Sequence, residues 1–274
     1  MTVTVATWNI NSIRLRVAQV GRFLEAQRPD ILCLQEIKCA NGHFPAAALH
    51  ELGYRHIAVN GQKAYHGVAT LSRRPFAQVE TLSFCGKEDA RHLAVSFGAD
   101  AGADLAGITV HNFYVPAGGD IPDPEVNDKF AHKLEFLSEM RAWSRGLRGN
   151  GAALLVGDLN IAPLETDVWS HKQLLRVVSH TPVEVEHLNA VQAAGDWVDV
   201  VRAQIPPEER LYTWWSYRAQ DWEASDRGRR LDHIWASPGL AERVVTAEVI
   251  KQARGWPQPS DHAPVVVRLK RSLR

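Results

Sequence analysis

Polar side chains flank apolar runs of the sequence at six places, and their types suit metal binding and proton transfer. They are Asn9 and Asn11 after VTVATW, Glu36 after ILCLQ, Tyr114 after VHNF, Asp158 and Asn160 in GDLN, Asp232 in RLDH, and Asp261 with His262 in PSDHAPV. Burying a lone carboxylate is costly unless it finds a cation or hydrogen-bond donors. Several carboxylates become tolerable if they converge at one sheet edge around a divalent cation, which is a common way to build a hydrolytic site.

The donor atoms indicate which cation such a site would take. Glu36, Asp261 and the nearby asparagine amides offer oxygen, without a cluster of cysteines and histidines. Oxygen donors suit a hard cation such as Mg²⁺ or Mn²⁺ better than zinc. Carboxylate sites of this kind usually keep waters and complete their coordination with a substrate phosphate, so a phosphoryl ester is the expected substrate.

Single members of this set also have purely structural explanations. Asn9 or Asn11 alone could cap a turn. Glu36 could form a surface ion pair with Lys38, and Asp158 could form an Asx turn. The joint occurrence of these residues at strand ends is what favours a catalytic site.

The elements that would position these residues are many strands with few helices. Strand-like runs are TVTVATWNIN, ILCLQE, HIAVNG, GVATLSRR, FAQVETLSF, HLAVSFGA, DLAGITVHNFYV, AALLVGDLN, LYTWWSY, RLDHIWAS, RVVTAEVI and HAPVVVRLK. Helical spacing occurs at about 15–27, 45–52, 129–147, 184–194 and 196–203. The four runs from HIAVNG to HLAVSFGA are predicted to form an antiparallel meander. Ten to twelve strands in blocks predict two sheets packed face to face with helices outside, rather than a parallel barrel, in one domain over residues 1–274.

Composition limits the classes of protein to consider. The chain has 274 residues, 45% of them apolar and 23% charged, and its formal net charge is zero. A site for a polyanion must therefore be a local basic patch, for which RGRR at 227–230 is a candidate. The three cysteines, Cys33, Cys39 and Cys85, lack metal-type spacing and are expected to be reduced thiols. Without a membrane-length apolar stretch or a signal segment, we expect a cytoplasmic protein.

Eight motifs together resemble the exonuclease III family of DNA-repair nucleases, within the endonuclease/exonuclease/phosphatase superfamily. They are TWNINSIR, PDILCLQEIK, GVATLSR, NFYVPAGG, GDLNIAP, YTWWSYR, RLDHIWAS and SDHAPV. The resemblance implies a DNase I-like fold, a four-layer α/β sandwich of two mostly antiparallel sheets flanked by helices. It also implies an enzyme that uses Mg²⁺ (or Mn²⁺), cuts 5′ to abasic sites in duplex DNA and removes nucleotides from 3′ ends. The expected enzyme is a monomer that does not bind a membrane.

Two alternatives stay open at this stage. WNIN, LQE, GDLN and SDH identify only the superfamily, so a relative acting on RNA tails or on phosphorylated lipids or inositols has to be considered. TWWSYR with RLDHIWAS favours the narrower assignment. A non-catalytic DNA-binding module is disfavoured, because none of the acidic and histidine positions has been lost.

The resemblance assigns a role to each candidate residue. The implied metal ligands are Glu36, Asn9, Asp261, Asp158 and Asn160, with Glu36 as the principal carboxylate. The implied catalytic residues are Asp158, which would orient or deprotonate water, Asn160 and Tyr114 at the phosphate, and His262, whose ring Asp232 would orient. The implied DNA contacts are Trp214, Arg218, Arg227, Arg229, Leu231, Arg91 and Asn11, and Arg230 is a further basic candidate. Either tryptophan of TWWSYR could instead belong to the core.

The chain departs from the family pattern at two positions. Asp226 stands where an asparagine is common, which adds a negative charge near DNA. Arg229 stands where relatives carry a large apolar residue that lines a pocket for a sugar lacking its base. The second departure leaves the balance between abasic-site cleavage and exonuclease action open.

Overall fold

The computed structural model of the chain describes residues 2–271, which form two six-stranded sheets and a two-stranded ribbon. Sheet 1 consists of β1 (Thr2–Asn9), β2 (Ile31–Gln35), β3 (His56–Asn60), β4 (Val68–Ser72), β13 (Val244–Val249) and β14 (Val265–Lys270). Their order is β13-β14-β1-β2-β4-β3, in which only β1 and β2 are parallel neighbours. Because β14 lies between β13 and β1, the first and last strands pair directly, with Thr2 opposite Lys270.

Sheet 2 is built from a continuous middle part of the chain. It consists of β5 (Gln78–Glu80), β6 (His92–Ser96), β7 (Ile108–Tyr114), β8 (Ala152–Asp158), β9 (Val198–Asp199) and β12 (Asp232–Ala236). The order is β5-β6-β7-β8-β12-β9, and here β7 and β8 are the parallel neighbours. The ribbon pairs β10 (Trp214–Trp215) with β11 (Gly228–Arg229).

The described residues contain seven α-helices, four of which cover the outer faces of the two sheets. They are α1 (Ile13–Gln27), α2 (Ala46–Glu51), α3 (Asp128–Leu147), α4 (His171–Leu174), α5 (Pro182–Gly195), α6 (Trp222–Ser225) and α7 (Pro238–Ala241). Short 3₁₀ helices occur at Asn41–His43, Ala99–Ala101, Glu165–Asp167 and Lys251–Gly255. Helices α1 and α2 pack on sheet 1, and α3 and α5 pack on sheet 2.

The alternation of side chains along the strands explains this layering. On β1, Val3 and Val5 face the core between the sheets, which also contains residues of β7 and β8. Ala6 and Trp8 face the other side, where the ring of Trp8 contacts Phe23 of α1. Successive strand residues point to opposite faces, so both faces of sheet 1 are apolar and both must be covered. The predicted four-layer α/β sandwich is confirmed.

The predicted antiparallel meander of four strands is wrong. β3 pairs with β4 in sheet 1, whereas β5 pairs with β6 in sheet 2. The chain crosses between the sheets over residues 73–77, where Pro75 cannot donate a ladder hydrogen bond. Hairpin spacing indicates which strands are adjacent in the chain, but it does not reveal a change of sheet.

The predicted helix at 196–203 is also wrong, and the strand count was too low. Asp196 ends α5 in the left-handed conformation, with φ of 57°, and Val198–Asp199 then pairs with β12. The apolar residues of this segment fit both the helical and the strand spacing, so their pattern alone did not distinguish a helix from a strand. The described residues contain fourteen strands rather than ten to twelve, because β9, β10 and β11 have two residues each and leave little periodic signal.

Two negative findings concern the described residues. No helix within residues 2–271 has both the length and the apolar character needed to cross a bilayer. Cys33, Cys39 and Cys85 are all free thiols, which agrees with the expectation from their spacing.

Candidate active site

The predicted site residues come from strand ends at one edge shared by the two sheets. β1 ends at Asn9, and Glu36 directly follows β2. β7 and β8 end at Tyr114 and Asp158. Since both pairs of strands are parallel, each pair delivers its last residues to the same side, where ligands bind in open α/β sheets. β12 runs antiparallel to β8, so its first residue, Asp232, lies opposite Asp158.

Asn9 connects the two sheets through its side-chain amide. Its Nδ2 donates to Glu36 Oε1 at 2.9 Å and to Asp158 Oδ2 at 2.8 Å. Ligand atoms of Glu36, Asp158 and His262 all lie within 4.8 Å of one another. One small cation could therefore reach acidic groups from both sheets.

Glu36 forms an ion pair with Lys38 and also belongs to the predicted catalytic site. Lys38 Nζ lies 2.9 Å from Glu36 Oε2, so the ion pair with Lys38 does form. Glu36 also accepts the hydrogen bond from Asn9 and lines the cavity described below. Although burial opposes ionisation, Lys38 and Asn9 hold the pKa of Glu36 below its usual value. The carboxylate is thus charged and remains accessible to a cation.

His262 is held between two aspartates. Its Nδ1 donates to Asp232 Oδ2 at 2.8 Å, and its Nε2 lies 3.8 Å from Asp158 Oδ2. Thr213 Oγ1 also donates to Asp232 Oδ2, at 2.6 Å, which fixes the carboxylate that orients the ring. Burial opposes the charged imidazolium, but the carboxylates of Asp232 and Asp158 raise the pKa of His262 to about 10. His262 is therefore a cation at neutral pH with Nε2 directed toward Asp158.

Asp158 sits at the end of β8 in a tight arrangement. Its Oδ1 accepts from the backbone N of Asn160 at 2.9 Å, so the Asx turn that was considered as an alternative is present. Its Oδ2 accepts from Asn9. Burial raises the pKa of Asp158, and the negative charge of Asp232 adds to the rise, while His262 opposes it. The Asp158 carboxylate therefore closes the Asx turn through Oδ1 and belongs to the acidic cluster through Oδ2.

A buried ion pair supports the loop that carries Asn160. Lys133 Nζ donates to the carbonyl of Asn160 at 2.9 Å and pairs with Glu184 Oε1 at 2.5 Å. Glu184 also closes the capping box of α5 with Thr181. Asn160 itself has φ of 55° and donates from Nδ2 to the carbonyl of Val115. The backbone carbonyl of Asn160 is thus held by Lys133 and its side-chain amide by Val115, at a position that lines the cavity.

Tyr114 faces the cavity and has Arg91 behind its ring. The guanidinium carbon of Arg91 lies 4.9 Å from the ring centroid, and Nη1 donates to the carbonyl of Tyr114. Arg91 is buried and ion-paired with Asp89, and it does not line the cavity that holds Glu36. Burial and the charges of Glu36 and Asp158 raise the pKa of Tyr114 well above its usual range. The structure gives Arg91 a supporting position, and its predicted DNA contact stays a prediction.

Asp261 lines the cavity, but both of its oxygens already have partners. Oδ1 accepts from Asn11 Nδ2 at 3.0 Å, and Oδ2 accepts from Trp214 Nε1 at 2.9 Å. Lys38 Nζ donates to Asn11 Oδ1 at 2.6 Å, so the Asn11 side chain is occupied as well. Asp261 is not in the group of ligand atoms that lie within 4.8 Å of one another. A metal contact by Asp261 and a DNA contact by Asn11 stay predictions.

Five of these site residues open onto one cavity of about 690 Å³. Its lining includes Glu36, Tyr114, Asn160, Asp261 and His262, and also Trp169, Val177, Val178, Trp214, Arg218, Arg227, Arg229 and Leu231. The acidic cluster is therefore continuous with a wall of aromatic, aliphatic and basic side chains. Such a cavity can hold a phosphate group together with a neighbouring sugar.

Three sequence expectations change in this region. Arg230 is 1% exposed and pairs with Asp167 and Asp199 at 2.8 and 2.7 Å, so it is a structural residue rather than a phosphate contact. Trp215 is 2% exposed and packs in a core cluster, as the structural alternative proposed. Asp226 accepts from Trp215 Nε1 and pairs with Lys251 at 2.9 Å. Lys251 therefore compensates the negative charge of Asp226.

The sequence did not single out several residues that hold the site together. Ser260 Oγ donates to the carbonyl of Asn9, Thr213 Oγ1 donates to Asp232, and Lys133 donates to the carbonyl of Asn160. Asn112 of sheet 2 donates from Nδ2 to carbonyls of Leu34 and Ala69 in sheet 1. A lone lysine, threonine or asparagine has no periodic signature. The capping box at 181–184 was the one signal that could have pointed to the Lys133 pair.

Comparison with known proteins gives the following matches. Residues 6–262 match the model of the endonuclease/exonuclease/phosphatase family. The chain is 31% identical over 271 residues to exodeoxyribonuclease III of Haemophilus influenzae, covering 96% of this chain and 98% of that protein. An AP endonuclease structure from Archaeoglobus fulgidus has a TM-score of 0.87 at 34% identity, covering 97% and 99% of the two chains. A 3′ phosphatase from Neisseria bound to a product DNA hairpin has a TM-score of 0.88 at 30% identity, covering 98% and 99%.

Proposed function

The chain belongs to the endonuclease/exonuclease/phosphatase family and, within it, to the exonuclease III group, and from this premise we propose how its cavity acts on DNA. It is a DNA-repair nuclease that hydrolyses phosphodiester bonds. We assign it cleavage 5′ to abasic sites and removal of nucleotides from 3′ ends of duplex DNA. The observation that supports this most is the approach of Glu36, Asp158 and His262 to one another, beside a cavity that Glu36 and His262 line.

The donor set fits a hard divalent cation. Glu36 is charged and lines the cavity, and Asp158 adds carboxylate oxygen atoms that Asn9 Nδ2 holds near it. Enzymes of this kind use divalent metal, and we propose Mg²⁺, with Mn²⁺ as a substitute, held by Glu36 with Asn9 and Asp158 nearby. A bound cation would neutralise charge on the scissile phosphate. Asn160 and Asp261 complete the set of proposed ligands.

His262 supplies a fixed positive charge for the phosphate. Because Nδ1 is committed to Asp232, the Nε2 proton stays free on the Asp158 side of a ring that lines the cavity. In phosphoryl transfer the protein mainly positions the groups and stabilises the charge that develops on phosphate oxygens. The proposed role of the Asp232–His262 pair is therefore donation to a phosphate oxygen from a ring that cannot rotate.

Asp158 and Tyr114 complete the proposed reaction centre. The Asp158 carboxylate, fixed by Asn9 and by the Asn160 backbone, would orient the attacking water and accept its proton. Tyr114 keeps its proton at neutral pH and can therefore donate a hydrogen bond to the phosphate. The side-chain amide of Asn160 would position the same group. Positioning of this kind accounts for much of the rate of such reactions.

The DNA surface, the assembly state and the location are further parts of the proposal. Trp214 and Leu231 would contact a sugar that lacks its base, while Arg218 and Arg227 would contact backbone phosphates. We propose a monomer with one domain over residues 1–274 and a cytoplasmic location. The core shared by both sheets supports the single domain.

The test is a time course on an end-labelled duplex with a central abasic site, with and without Mg²⁺. Product length reports which bond is cut. We expect incision 5′ to the abasic site and shortening from the 3′ end, both lost in chelator and in Glu36→Ala and Asp158→Asn. Full activity in excess chelator would reject the proposal. Parallel assays on poly(A) and sphingomyelin test the disfavoured RNA and lipid alternatives.

A further inference from the structure

Arg229 is a largely buried cation that has no carboxylate partner among residues 2–271. It belongs to β11 and lines the catalytic cavity. Its two hydrogen bonds go to neutral acceptors, the carbonyl of Val178 at 3.0 Å and Ser179 Oγ at 2.8 Å. Burial lowers the pKa of Arg229, and Glu184 opposes this only from a distance. A desolvated guanidinium in this state is expected to attract an anion.

Two other arginines with buried side chains, Arg202 and Arg230, are neutralised by carboxylates of the protein. Arg230 pairs with Asp167 and Asp199, and Arg202 also pairs with Asp167. Arg254 has no carboxylate partner in the described part of the chain either, but it packs against Tyr217 and Trp222 and does not line the cavity. Arg229 therefore combines a missing counter-ion with access to the catalytic cavity.

The free donors of Arg229 form one edge of the guanidinium. Both hydrogen bonds use Nη1, and among the described residues the buried Nε has no acceptor. Nε is enclosed by protein atoms, so the donor that can meet a ligand from the cavity is Nη2, which makes no hydrogen bond within residues 2–271. A charge-assisted hydrogen bond from Nη2 to a phosphate or carboxylate oxygen is the contact that this position offers.

The position of Arg229 indicates which part of the substrate it meets. Its guanidinium carbon lies 5.2 Å from the ring centroid of Trp214, which together with Leu231 is proposed to contact an abasic sugar. Cleavage 5′ to that sugar places it on the 3′ side of the scissile phosphate. A group bound by Arg229 is then attached beyond the scissile phosphate, on the same side.

We propose that Arg229 forms a second oxyanion site in the catalytic cavity, separate from the acidic cluster that takes the scissile phosphate. The site takes a phosphate or carboxylate carried on the 3′ side of the scissile phosphate. The next backbone phosphate and the carboxylate of an oxidised sugar fragment share this chemistry. The inference rests on the proposed function and extends it, because the wall of the pocket selects for charge rather than only for apolar contact.

The test compares three duplex substrates at saturating Mg²⁺. A 3′-phosphate end has nothing beyond the scissile phosphate, a 3′-phosphoglycolate end carries a carboxylate there, and an internal tetrahydrofuran abasic site carries the next phosphate. The variants are Arg229→Leu, Arg229→Gln, which keeps a donor for Val178, and Arg229→Lys. Arg145→Leu is the matched loss of charge, since Arg145 is exposed near the C-terminal end of α3, outside the cavity.

We expect Arg229→Leu and Arg229→Gln to raise KM by about tenfold or more on the phosphoglycolate or the abasic substrate, as loss of a charged hydrogen bond should. KM on the 3′-phosphate end should change by less than about twofold, and Arg229→Lys should recover part of the loss. Loss on the phosphoglycolate alone identifies the sugar-fragment carboxylate, and loss on the abasic substrate alone identifies the next backbone phosphate.

Three results would overturn the proposal or separate it from the proposed function. An equal loss on all three substrates would mean that Arg229 supports the fold or the scissile phosphate, and unchanged KM on all three would mean that it binds no substrate group. Both outcomes reject the second oxyanion site. If the unmodified protein cleaved none of the substrates, the proposed function itself would fail. Thermal unfolding of each variant checks that the comparison is made on folded protein.

Discussion

Asn9 shows at the scale of one residue how the site tolerates its charge. One amide group donates to Glu36 and to Asp158, so two carboxylates from different sheets are held close without being neutralised. The remaining negative charge is balanced by Lys38 on one side and His262 on the other. A carboxyl cluster arranged in this way is ready for a cation because its hydrogen-bond donors leave oxygen lone pairs free.

Asp232→Asn should change the pH dependence of catalysis. Asp232 is a main cause of the raised pKa of His262, so the pKa in the variant should fall from about 10 toward the usual value near 6.5. The imidazolium is present below its pKa and is lost above it. We therefore expect kcat of the variant to decline from about pH 7 upward, by up to about tenfold per pH unit, while the unmodified enzyme keeps its charge. Parallel kcat profiles of the two proteins between pH 7 and 9 would contradict this role of Asp232.

Strand ends are the elements that bring the site together, and Gly157 makes one of these ends possible. It precedes Asp158 with φ of 138°, and a Cβ built there would lie 1.9 Å from the carbonyl oxygen of Phe113. β7 and β8 approach too closely at this point for any side chain.

Gly157→Ala should therefore lower the free energy of unfolding by about 3 kcal/mol or more and abolish cleavage through displacement of Asp158. Urea unfolding and the duplex assay measure the two effects. Gly239→Ala in α7 is the control, because its Cβ would meet nothing within 4 Å. It should change stability by less than about 1 kcal/mol. Equal effects of the two substitutions would contradict the close approach.

Neighbouring strands β6 and β7 carry a stacked histidine pair, His92 and His111. Leu82 N donates to His92 Nδ1, so His92 Nε2 carries the proton and donates to His111 Nδ1 at 3.2 Å. Burial lowers the pKa of His92 to about 3 and that of His111 to about 4. Both rings are neutral in the folded protein at physiological pH.

His111→Gln should alter the pH dependence of stability. Below about pH 6.5 the unfolded chain takes up a proton at His111, which the folded protein does not do until about pH 4, so falling pH favours unfolding. Relative to the variant, the unmodified protein should lose about 1.4 kcal/mol per pH unit across that window. Urea titrations at several pH values measure the difference. A difference that is independent of pH would contradict the buried neutral state.

The sequence predicted the elements better than their arrangement. Long periodic runs such as β1 and α3 were predicted close to their observed limits, and polar residues after them indicated the site. The crossing at 73–77 was missed because pairing between distant strands depends on which core their side chains join, and two cores look alike in a one-dimensional pattern. Lys133 was missed because its partners, Glu184 and Asn160, are distant in sequence.

At the scale of the whole molecule, the site forms only when the two sheets are packed against each other in their native positions. Glu36 directly follows strand β2 of sheet 1, while Asp158 and Asp232 belong to sheet 2. The side chain of Asn112 crosses between the sheets beside this edge and donates to Leu34 and Ala69. A cation bound by residues of both sheets should consequently stabilise the entire fold rather than one loop.

Mg²⁺ at about one hundred times its dissociation constant should stabilise the protein by about 2.7 kcal/mol, which raises Tm by about 5–10 °C for a chain of this size. Glu36→Gln should remove most of this rise, whereas Glu80→Gln, an exposed change on β5, should leave it intact. Thermal unfolding with and without the metal measures both. An undiminished rise in Glu36→Gln would locate the cation elsewhere.

The position of β14 between β13 and β1 also affects the order in which the sheets can assemble during synthesis of the chain. His262 and the strand after it are the last parts of sheet 1 to leave the ribosome, and β1 has no antiparallel neighbour until they arrive. Sheet 2 can assemble earlier, since its strands all precede residue 237. A nascent chain would then carry Glu36 and Asp158 without the imidazolium. Biosynthesis itself would delay the moment at which a nuclease becomes able to cut.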